Sequence, residues 1–296
     1  MAIALAAALW AVAATAARSL FDDGMQPVEL AGARVTVAAL GLAIVNRQWV
    51  LPRTARTAGS VLAFGLSIAL VTVTYYVAIE HLAVAVAVVL QYTAPAMVVV
   101  WIAIGHRRPP AREVWVALVL ALVGVVFASD LPGANIDEVD LVGVAAGLGS
   151  AVCFASYTIF SEKVGAAYGP VGAMLRAFLV AAIFWNVALL VTGRVNPLFS
   201  SGDLLLIGFI GVFGTLVPFS LYVWGIRHVR PERAVIAATL EPPFAALVAW
   251  IWLGQSLSAA QLFGGVLVLA AVVALQTLST RRRKDQPIRT GSALPP

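Results

Sequence analysis

The chain has 296 residues, of which 61% are hydrophobic and only 11% are charged, and its mean hydropathy is +0.96. Soluble domains contain about 25% charged residues, so this composition excludes a soluble globular protein and predicts an integral membrane protein. The net charge of +5 does not indicate a nucleic-acid partner, because basic residues in a membrane protein set its topology. The single cysteine, Cys153, excludes an internal disulfide.

Ten segments are long and apolar enough to cross a bilayer as helices, since a spanning helix needs roughly 20 mostly apolar residues. In chain order the predicted spans are 2–20, 28–45, 59–79, 82–105, 112–128, 142–161, 169–192, 204–226, 232–253 and 258–279. Short polar or Gly/Pro-rich joints such as GHRRPPAR separate them. We therefore expect an all-α integral membrane fold with ten transmembrane helices.

The charged residues of the joints predict the orientation. Ten spans place both termini on one side, and that side holds 15 of the 19 basic residues. They are Arg47, Arg53, Arg56, Arg107, Arg108, Arg112, Lys163, Arg227, Arg230, Arg233, Arg281, Arg282, Arg283, Lys284 and Arg289. Because basic loops stay in the cytoplasm, both termini are predicted to be cytoplasmic in a bacterial-type inner membrane.

The two ends of the chain differ in composition, the first being apolar and the last polar and basic. The small-residue run AVAATAARS would suit a cleaved signal peptide, but the basic n-region is missing, and removal would leave nine spans with the wrong charge sidedness. We expect the first helix to be retained. Residues 281–296, RRRKDQPIRTGSALPP, are predicted to be a disordered cytoplasmic tail whose basic cluster anchors at the inner leaflet.

Two similar segments recur about half a chain length apart. Residues 75–81 read YYVAIEH and residues 222–228 read YVWGIRH. The matched pairs are Tyr75 with Tyr222, Ile79 with Ile226, His81 with His228, Pro95 with Pro243, Trp101 with Trp250 and Gly105 with Gly254. We predict two five-helix repeats, 1–141 and 142–280. Because five is odd, the second is inverted relative to the first, as in many secondary transporters.

The duplicated pattern resembles the EamA-type permeases of the drug/metabolite transporter superfamily. The resemblance rests on LAVAVAVVLQYTAPAMVVVWIAIG, on RAVIAATLEPPFAALVAWIWLGQSL and on the span openings QPVELAGARV and GPVGAMLRAF. It implies export of a small metabolite, amino acid or drug by alternating access, with proton antiport, from a cavity between the third, fourth, eighth and ninth spans plus the first and sixth. This chain departs from the family's frequent Gly-Glu pair, with GHRR in one half and Gly254-Gln255 in the other.

The segment TLEPPFAAL, residues 239–247, places Glu241 and the helix-disturbing Pro242 and Pro243 inside an apolar span. A carboxylate at that depth costs on the order of 2.5–3.5 kcal/mol, so such residues usually face a bundle interior or a wet cavity. Its counterpart, aligned on Pro95, is Thr93 in the Gln91–Tyr92–Thr93 stretch. In a functional role, Glu241 contacts a cationic substrate group or carries the coupling proton. In a structural role, it caps a backbone amine or a helix end beside the kink.

Other candidate pathway residues are two intramembrane arginines and several aromatic residues. Arg34 and Arg176 are near-equivalent in the repeat, and each lies about 9 Å inside its span at 1.5 Å per residue. They either bind an anionic group or, as we favour at that depth, snorkel to the interface. Aromatic candidates are Trp10, Tyr75, Tyr76, Tyr92, Tyr157, Tyr222 and Trp224, with interface belts or helix packing as the alternative for each.

Motifs of enzymes are missing from the sequence. It contains no phosphate loop, no GxSxG and no metal-spaced His/Cys cluster, so we predict no catalytic residues, no cofactor and no metal. The predicted partners are a small-molecule substrate, protons and the lipid bilayer. The alternative is a non-transporting membrane protein, either a scaffold or an enzyme acting on lipid.

Overall fold

The computed structural model describes residues 1–45, 55–82, 84–105, 110–131, 140–193, 201–254 and 256–284. In this part the chain forms helices and no strand. They are α1 (Ala2–Asp22), α2 (Pro27–Val45), α3 (Ala55–His81), α4 (Val84–Gln91), α5 (Ala94–Gly105), α6 (Arg112–Ala128), α7 (Leu141–Val191), α8 (Ser201–Gly211), a π-helix (Val212–Leu216), α9 (Val217–Ile226), α10 (Pro231–Ala238), α11 (Glu241–Leu253) and α12 (Ala259–Lys284).

Some features of the sequence fall outside the described residues. They are Arg47, Arg53, Arg107, Arg108, Gln255 and the tail beyond Lys284.

Within the described ranges, seven helical segments are long and apolar enough to cross a membrane. They are Ala2–Phe21, Pro27–Val45, Thr57–His81, Ala85–Gly105, Leu141–Val191, Gly202–Ile226 and Pro231–Trp252. The apolar stretch Ala259–Leu275 of α12 is shorter, and α6 has 17 residues. The described chain is thus an all-helical protein with seven candidate spans.

Helix α7 runs through two of the segments that the sequence predicts as separate spans. Inside its 51 residues, Gly169 has φ 73° and ψ 168°, a conformation that is essentially restricted to glycine. Pro170 follows, where its missing N–H and fixed φ suit the first turn of a new helix. The physical unit is therefore two helices joined at Gly169 without an intervening loop.

Two other segments, predicted as continuous spans, are each broken near the middle. The first break separates α4 from α5 at Tyr92 and Thr93, and the second separates α10 from α11 at Thr239 and Leu240. At both breaks a threonine hydroxyl donates to the carbonyl three residues earlier, from Thr93 to Leu90 at 2.7 Å and from Thr239 to Ile236 at 2.6 Å. Prolines follow each break. Because a proline has no N–H to donate to the carbonyl four residues earlier, it favours an interruption of the helix at these places.

Large apolar side chains cover much of the outside of the bundle. Trp101, Ile183, Leu205, Trp250 and Trp252 are all more than half exposed. Contiguous exposed apolar surface on this scale is unfavourable in water and marks a surface that faces lipid. The interior is packed by small and aromatic residues, so that the polar groups described below lie inside an apolar shell.

Candidate functional site

A cavity of about 480 Å³ lies inside the bundle, a size typical of small-molecule sites. Its walls come from α1, α2, α3, α4, α7, α8, the π-helix, α9 and α11. The lining residues are Trp10, Ala11, Ala13, Ala14, Thr15, Ala17, Ser19, Phe21, Arg34, Val71, Thr72, Tyr75, Tyr76, Ile79, Gln91, Phe154, Tyr157, Ile210, Gly214, Phe219, Glu241 and Ala245. The lining follows α1 and α3 to their C-terminal ends, so the cavity extends from the middle of the bundle toward that end.

Glu241 is the first residue of α11 and lines this cavity directly after the second break. Its Oε2 accepts a hydrogen bond of 2.7 Å from the hydroxyl of Tyr92, which is only 2% exposed and lies at the first break. The same hydroxyl lies 3.3 Å from the carbonyl oxygen of Ala238. Pro242 explains that free carbonyl, since a proline leaves the carbonyl four residues earlier without its helical donor. The hydrogen bond from Tyr92 at the first break to Glu241 at the second therefore links the two breaks.

Arg34 forms another polar part of the lining, on α2. Its Nε donates to the Thr215 hydroxyl at 2.8 Å, and its Nη2 donates to the Gly214 carbonyl at 3.4 Å. Pro218 lies four residues after Gly214 and cannot donate to that carbonyl. Thr215 lies in the π-helix, and its hydroxyl donates in turn to the Ile210 carbonyl at 3.1 Å. These contacts hold the guanidinium against the π-helix inside the bundle.

The cavity therefore carries a carboxylate and a guanidinium on different helices. Within the described residues, neither Glu241 nor Arg34 takes part in an ion pair. A carboxylate and a guanidinium that share one low-dielectric cavity can bind an ammonium and a carboxylate of the same small molecule.

Several uncharged polar groups line the same cavity as these charges. Gln91 lines the cavity, and its amide nitrogen donates to the Ser150 hydroxyl at 2.9 Å, which donates to the Val71 carbonyl at 2.9 Å. This chain of bonds fixes the amide of Gln91. Thr15 and Thr72 also line the cavity. The sequence does not single out these two threonines, because a hydroxyl in an apolar span commonly bonds to its own helix, as Thr15 does to the Ala11 carbonyl at 3.2 Å.

Aromatic rings close the cavity at the end away from the C-termini of α1 and α3. Trp10 packs edge-to-face on Phe219 with ring centroids 5.2 Å apart, and Phe154 stacks on Tyr157 at 5.0 Å. Tyr222 lies behind this layer, fully buried, with its hydroxyl 3.0 Å from that of Thr158. We call Trp10, Phe154, Tyr157, Phe219 and Tyr222 the aromatic floor. Phe154 and Phe219 are not distinguishable in the sequence from ordinary core phenylalanines.

The structure brings together some of the residues singled out in the sequence and separates others. Trp10, Arg34, Tyr75, Gln91 and Glu241 line the cavity, while Tyr92 and Tyr222 lie directly behind it. Pro95 and Pro242 are buried at the helix starts, Pro243 faces Gly265, and Thr93 bonds to its own chain.

Trp224 and Arg176 lie outside the cavity lining. Trp224 is 48% exposed, and its ring packs at a tilt of 32° against that of His228, with centroids 3.9 Å apart. Arg176 is only 5% exposed, with its guanidinium carbon 3.9 Å from the centre of the Tyr168 ring. Among the described residues, no group of three or more His, Cys, Asp or Glu side chains is arranged to hold a metal ion.

A bundle of apolar helices around a charged internal cavity defines the class of multi-pass α-helical membrane proteins with an internal solute site. Within that class, the chain belongs to the EamA-like transporter family, whose model matches residues 1–129 and 141–277. The resemblance inferred from the sequence is thereby confirmed, and the chain is a membrane transporter. The alternative of a non-transporting membrane protein is not favoured.

Characterised and uncharacterised transporters are similar over nearly the whole chain. The threonine/homoserine exporter RhtA of Escherichia coli K12 is 29% identical over 277 residues, covering 93% of this chain and 89% of that protein. The uncharacterised inner membrane transporter YicL of Salmonella typhimurium LT2 is 28% identical over 294 residues, 95% of each chain. A solved crystal structure superposes with a TM-score of 0.76 at 18% identity, over 96% of this chain and 98% of that one, which supports the fold. Together with the apolar helices, these relatives indicate a multi-pass inner membrane protein.

Proposed function

We propose that this protein is a secondary active exporter of small zwitterionic metabolites, with amino acids as the first substrate class. The observation that carries the proposal is the presence of Glu241 and Arg34 in one cavity, without an ion pair to either among the described residues. Glu241 binds the ammonium of the substrate and Arg34 binds its carboxylate. The similarity to exporters of threonine and homoserine supports this substrate class.

We further propose a ten-span architecture of two inverted five-helix halves with both termini in the cytoplasm. The seven candidate spans become ten when α7 is counted as two helices about Gly169 and when α6 and α12 each cross once. The paired breaks support the inversion, because Pro95 follows one break and Pro243 follows the other. Broken helices at matched depth are typical of transporters built from inverted repeats.

Transport then follows an alternating-access cycle. With the N-terminus in the cytoplasm, the C-terminal ends of α1 and α3 lie outside, so the described cavity faces outward and the aromatic floor closes the cytoplasmic path. Export also requires a second state, closed on the outer side and open to the cytoplasm, in which the protein binds its substrate. Glu241 is the group that exchanges a proton for the substrate ammonium, because both compete for one carboxylate, and that competition couples export to proton antiport.

Flux through purified protein in proteoliposomes tests the proposed function. Under an imposed pH gradient we expect the wild-type protein to move amino acids from a panel that includes threonine, homoserine and larger side chains. We expect Glu241→Gln to abolish transport with normal expression, because the amide cannot exchange a proton and carries no negative charge to pair with an ammonium. Glu80→Gln, which changes an exposed carboxylate at the end of α3, is the matched control and should transport normally.

Two outcomes count against these proposals. If the wild-type protein moves no solute from a broad metabolite panel, secondary transport of small metabolites is wrong. If Glu241→Gln transports at the wild-type rate, the carboxylate is structural.

A further inference from the structure

Arg176 is a buried charge that the outward-facing cavity does not use. It lies six residues after Pro170 in the second half, as Arg34 lies seven residues after Pro27 in the first, so the two arginines hold near-equivalent repeat positions. A guanidinium inside a bilayer is costly and usually serves an ion or substrate pathway.

The two arginines have different surroundings. Arg34 lines the open cavity and reaches across to Gly214 and Thr215. Arg176 is buried, donates from Nη1 to the Gly172 carbonyl of its own helix at 2.8 Å, and lies over the Tyr168 ring. One copy is exposed to solute and the other is covered.

The cover over Arg176 joins the two halves of the chain. The Tyr168 hydroxyl donates to the Thr57 hydroxyl at 3.2 Å, which links α7 to the first turns of α3. Thr57 lies at the end of α3 opposite to the end at which the cavity opens. Gly169, between Tyr168 and Pro170, has a backbone conformation that only glycine adopts readily, and a side chain built there would meet open space. Gly169 is therefore a joint in the backbone that separates Tyr168 from Arg176.

From this asymmetry we infer that Arg176 is the substrate-carboxylate binding group of the cytoplasm-facing state. When the halves exchange their conformations, the Tyr168–Thr57 contact opens, Arg176 lines the inward cavity, and Arg34 is covered in its place. Substrate enters on Arg176 and leaves from Arg34, while Glu241 serves both states. This inference rests on the proposed function, and it adds a second carboxylate site specific to the inner side.

The test measures substrate KM separately from the two sides of the membrane. In inside-out vesicles a labelled amino acid that the wild-type protein transports meets the cytoplasmic face, and in right-side-out vesicles it meets the outer face. Loss of a hydrogen bond to a charged group corresponds to about a ten- to hundred-fold change in affinity. We expect Arg176→Gln to raise the ratio of inside-out KM to right-side-out KM at least about tenfold, and Arg34→Gln to lower it. Arg176→Lys keeps the charge and should restore part of the affinity.

Lys163→Gln is the matched control, because it removes an exposed cation from the same helix and should leave the ratio unchanged. Equal KM changes from both sides in Arg176→Gln, or none, would overturn the inference while leaving the proposed function intact. Absence of transport by the wild-type protein would instead overturn the proposed function.

A labelling experiment keeps the inference testable if Arg176→Gln does not fold. Ala173 lies one turn before Arg176 and is fully buried. In a Cys153→Ser background, we expect Ala173→Cys to react with a membrane-impermeant thiol reagent from the cytoplasmic side and not from outside. Substrate supplied at the cytoplasmic face should change the labelling rate. No labelling from either side during turnover would overturn the inference.

Discussion

Glu241 and Arg34 each have a fixed polar partner and also line the cavity. The carboxylate accepts from Tyr92, and the guanidinium donates to Thr215 and to a carbonyl freed by Pro218. Pro242 and Pro218 have the same effect, because each leaves the carbonyl four residues earlier, that of Ala238 or Gly214, without its helical donor. The Gly214 carbonyl accepts from the Arg34 guanidinium, while the Ala238 carbonyl lies 3.3 Å from the Tyr92 hydroxyl that donates to Glu241.

Removal of the Tyr92 hydroxyl should weaken substrate binding without emptying the site. Tyr92→Phe keeps the ring but deletes the 2.7 Å bond that positions Glu241. Because a hydrogen bond to a charged group contributes about 1.5–3 kcal/mol, we expect KM to rise about tenfold or more while the maximal rate changes less. Transport kinetics in proteoliposomes measure both constants.

Tyr222→Phe is the control, since it deletes a buried hydroxyl bonded to Thr158 rather than to Glu241. This variant should lower thermal stability, because it loses an ordinary buried hydrogen bond. Its KM should stay within about twofold of wild type. If the two variants shift KM equally, Tyr92 has no special part in positioning the carboxylate.

At the scale of helices, glycines decide how closely neighbours approach. α6 and α12 cross where Gly264 meets the backbone of Gly124 and Ala128, so that a side chain at 264 would collide with main-chain atoms. Gly124 and Ala128 are four residues apart and form one small-residue face, a common packing device between membrane helices. Such contacts hold α12, the last described helix, against α6.

Gly264→Ala should destabilise the protein by about 1–3 kcal/mol, because the collision is with backbone that cannot change rotamer. Gly265→Ala is an adjacent control, since a side chain there makes only ordinary contact with Pro243. It should be neutral or stabilise the helix by up to about 1 kcal/mol. Thermal unfolding in detergent measures both, and equal stabilities of the two variants would contradict the close crossing.

The start of α7 is held by Asp140, which accepts from the Val142 N–H at 2.7 Å and contacts His81 Nδ1 at 2.7 Å. The N–H donor first, and then His81, lower the pKa of the Asp140 carboxyl below its ordinary value of 3.8. A lowered pKa in the folded state means that the carboxylate stabilises the fold at neutral pH. That contribution is lost as the pH falls below 3.8 through the folded-state value.

Asp140→Ala should therefore lower the Tm by a few degrees at pH 7, and the difference from wild type should shrink as the pH falls through this acid range. Asp140→Asn keeps a capping side chain and should lose less. Thermal unfolding between pH 7 and pH 3 provides the comparison. A Tm difference that does not depend on pH would mean that the charge of Asp140 contributes nothing.

For the whole molecule, the inverted architecture makes a prediction about sidedness. Reporter fusions after residue 24, between α1 and α2, should show activity characteristic of the outer side, while fusions after residue 296 should behave as cytoplasmic. The reason is that the predicted cytoplasmic joints carry most of the Lys and Arg residues. Alkaline phosphatase and a fluorescent protein that folds only in the cytoplasm give opposite readouts. If residue 24 and the C-terminus both lie on the outer side, ten spans are ruled out.

The apolar composition and the length of the segments were sufficient to predict the membrane class, and the sequence motifs were sufficient to predict the family. Because the thickness of the bilayer sets the length of a spanning helix, each span can be predicted from its own stretch of sequence. The predicted ends of several spans agree with the helices, as for α2 and α6. The predicted spans 82–105, 204–226 and 232–253 are instead each divided, because prolines or a π-helix interrupt them. The predicted spans 142–161 and 169–192 are joined at Gly169 without a loop.

Glu241 and Arg34 were conspicuous in the sequence because a charge within an apolar segment has few roles. Only the tertiary structure decided that these two share a cavity, that Tyr92 holds the carboxylate, and that Arg176 and Trp224 lie elsewhere. Which residues share a cavity depends on the direction of each helix face and on close approaches at glycines far apart in sequence. The alanines and Thr15 of α1 that complete the wall carry no local signal, because the same residues are equally suited to helix packing in lipid.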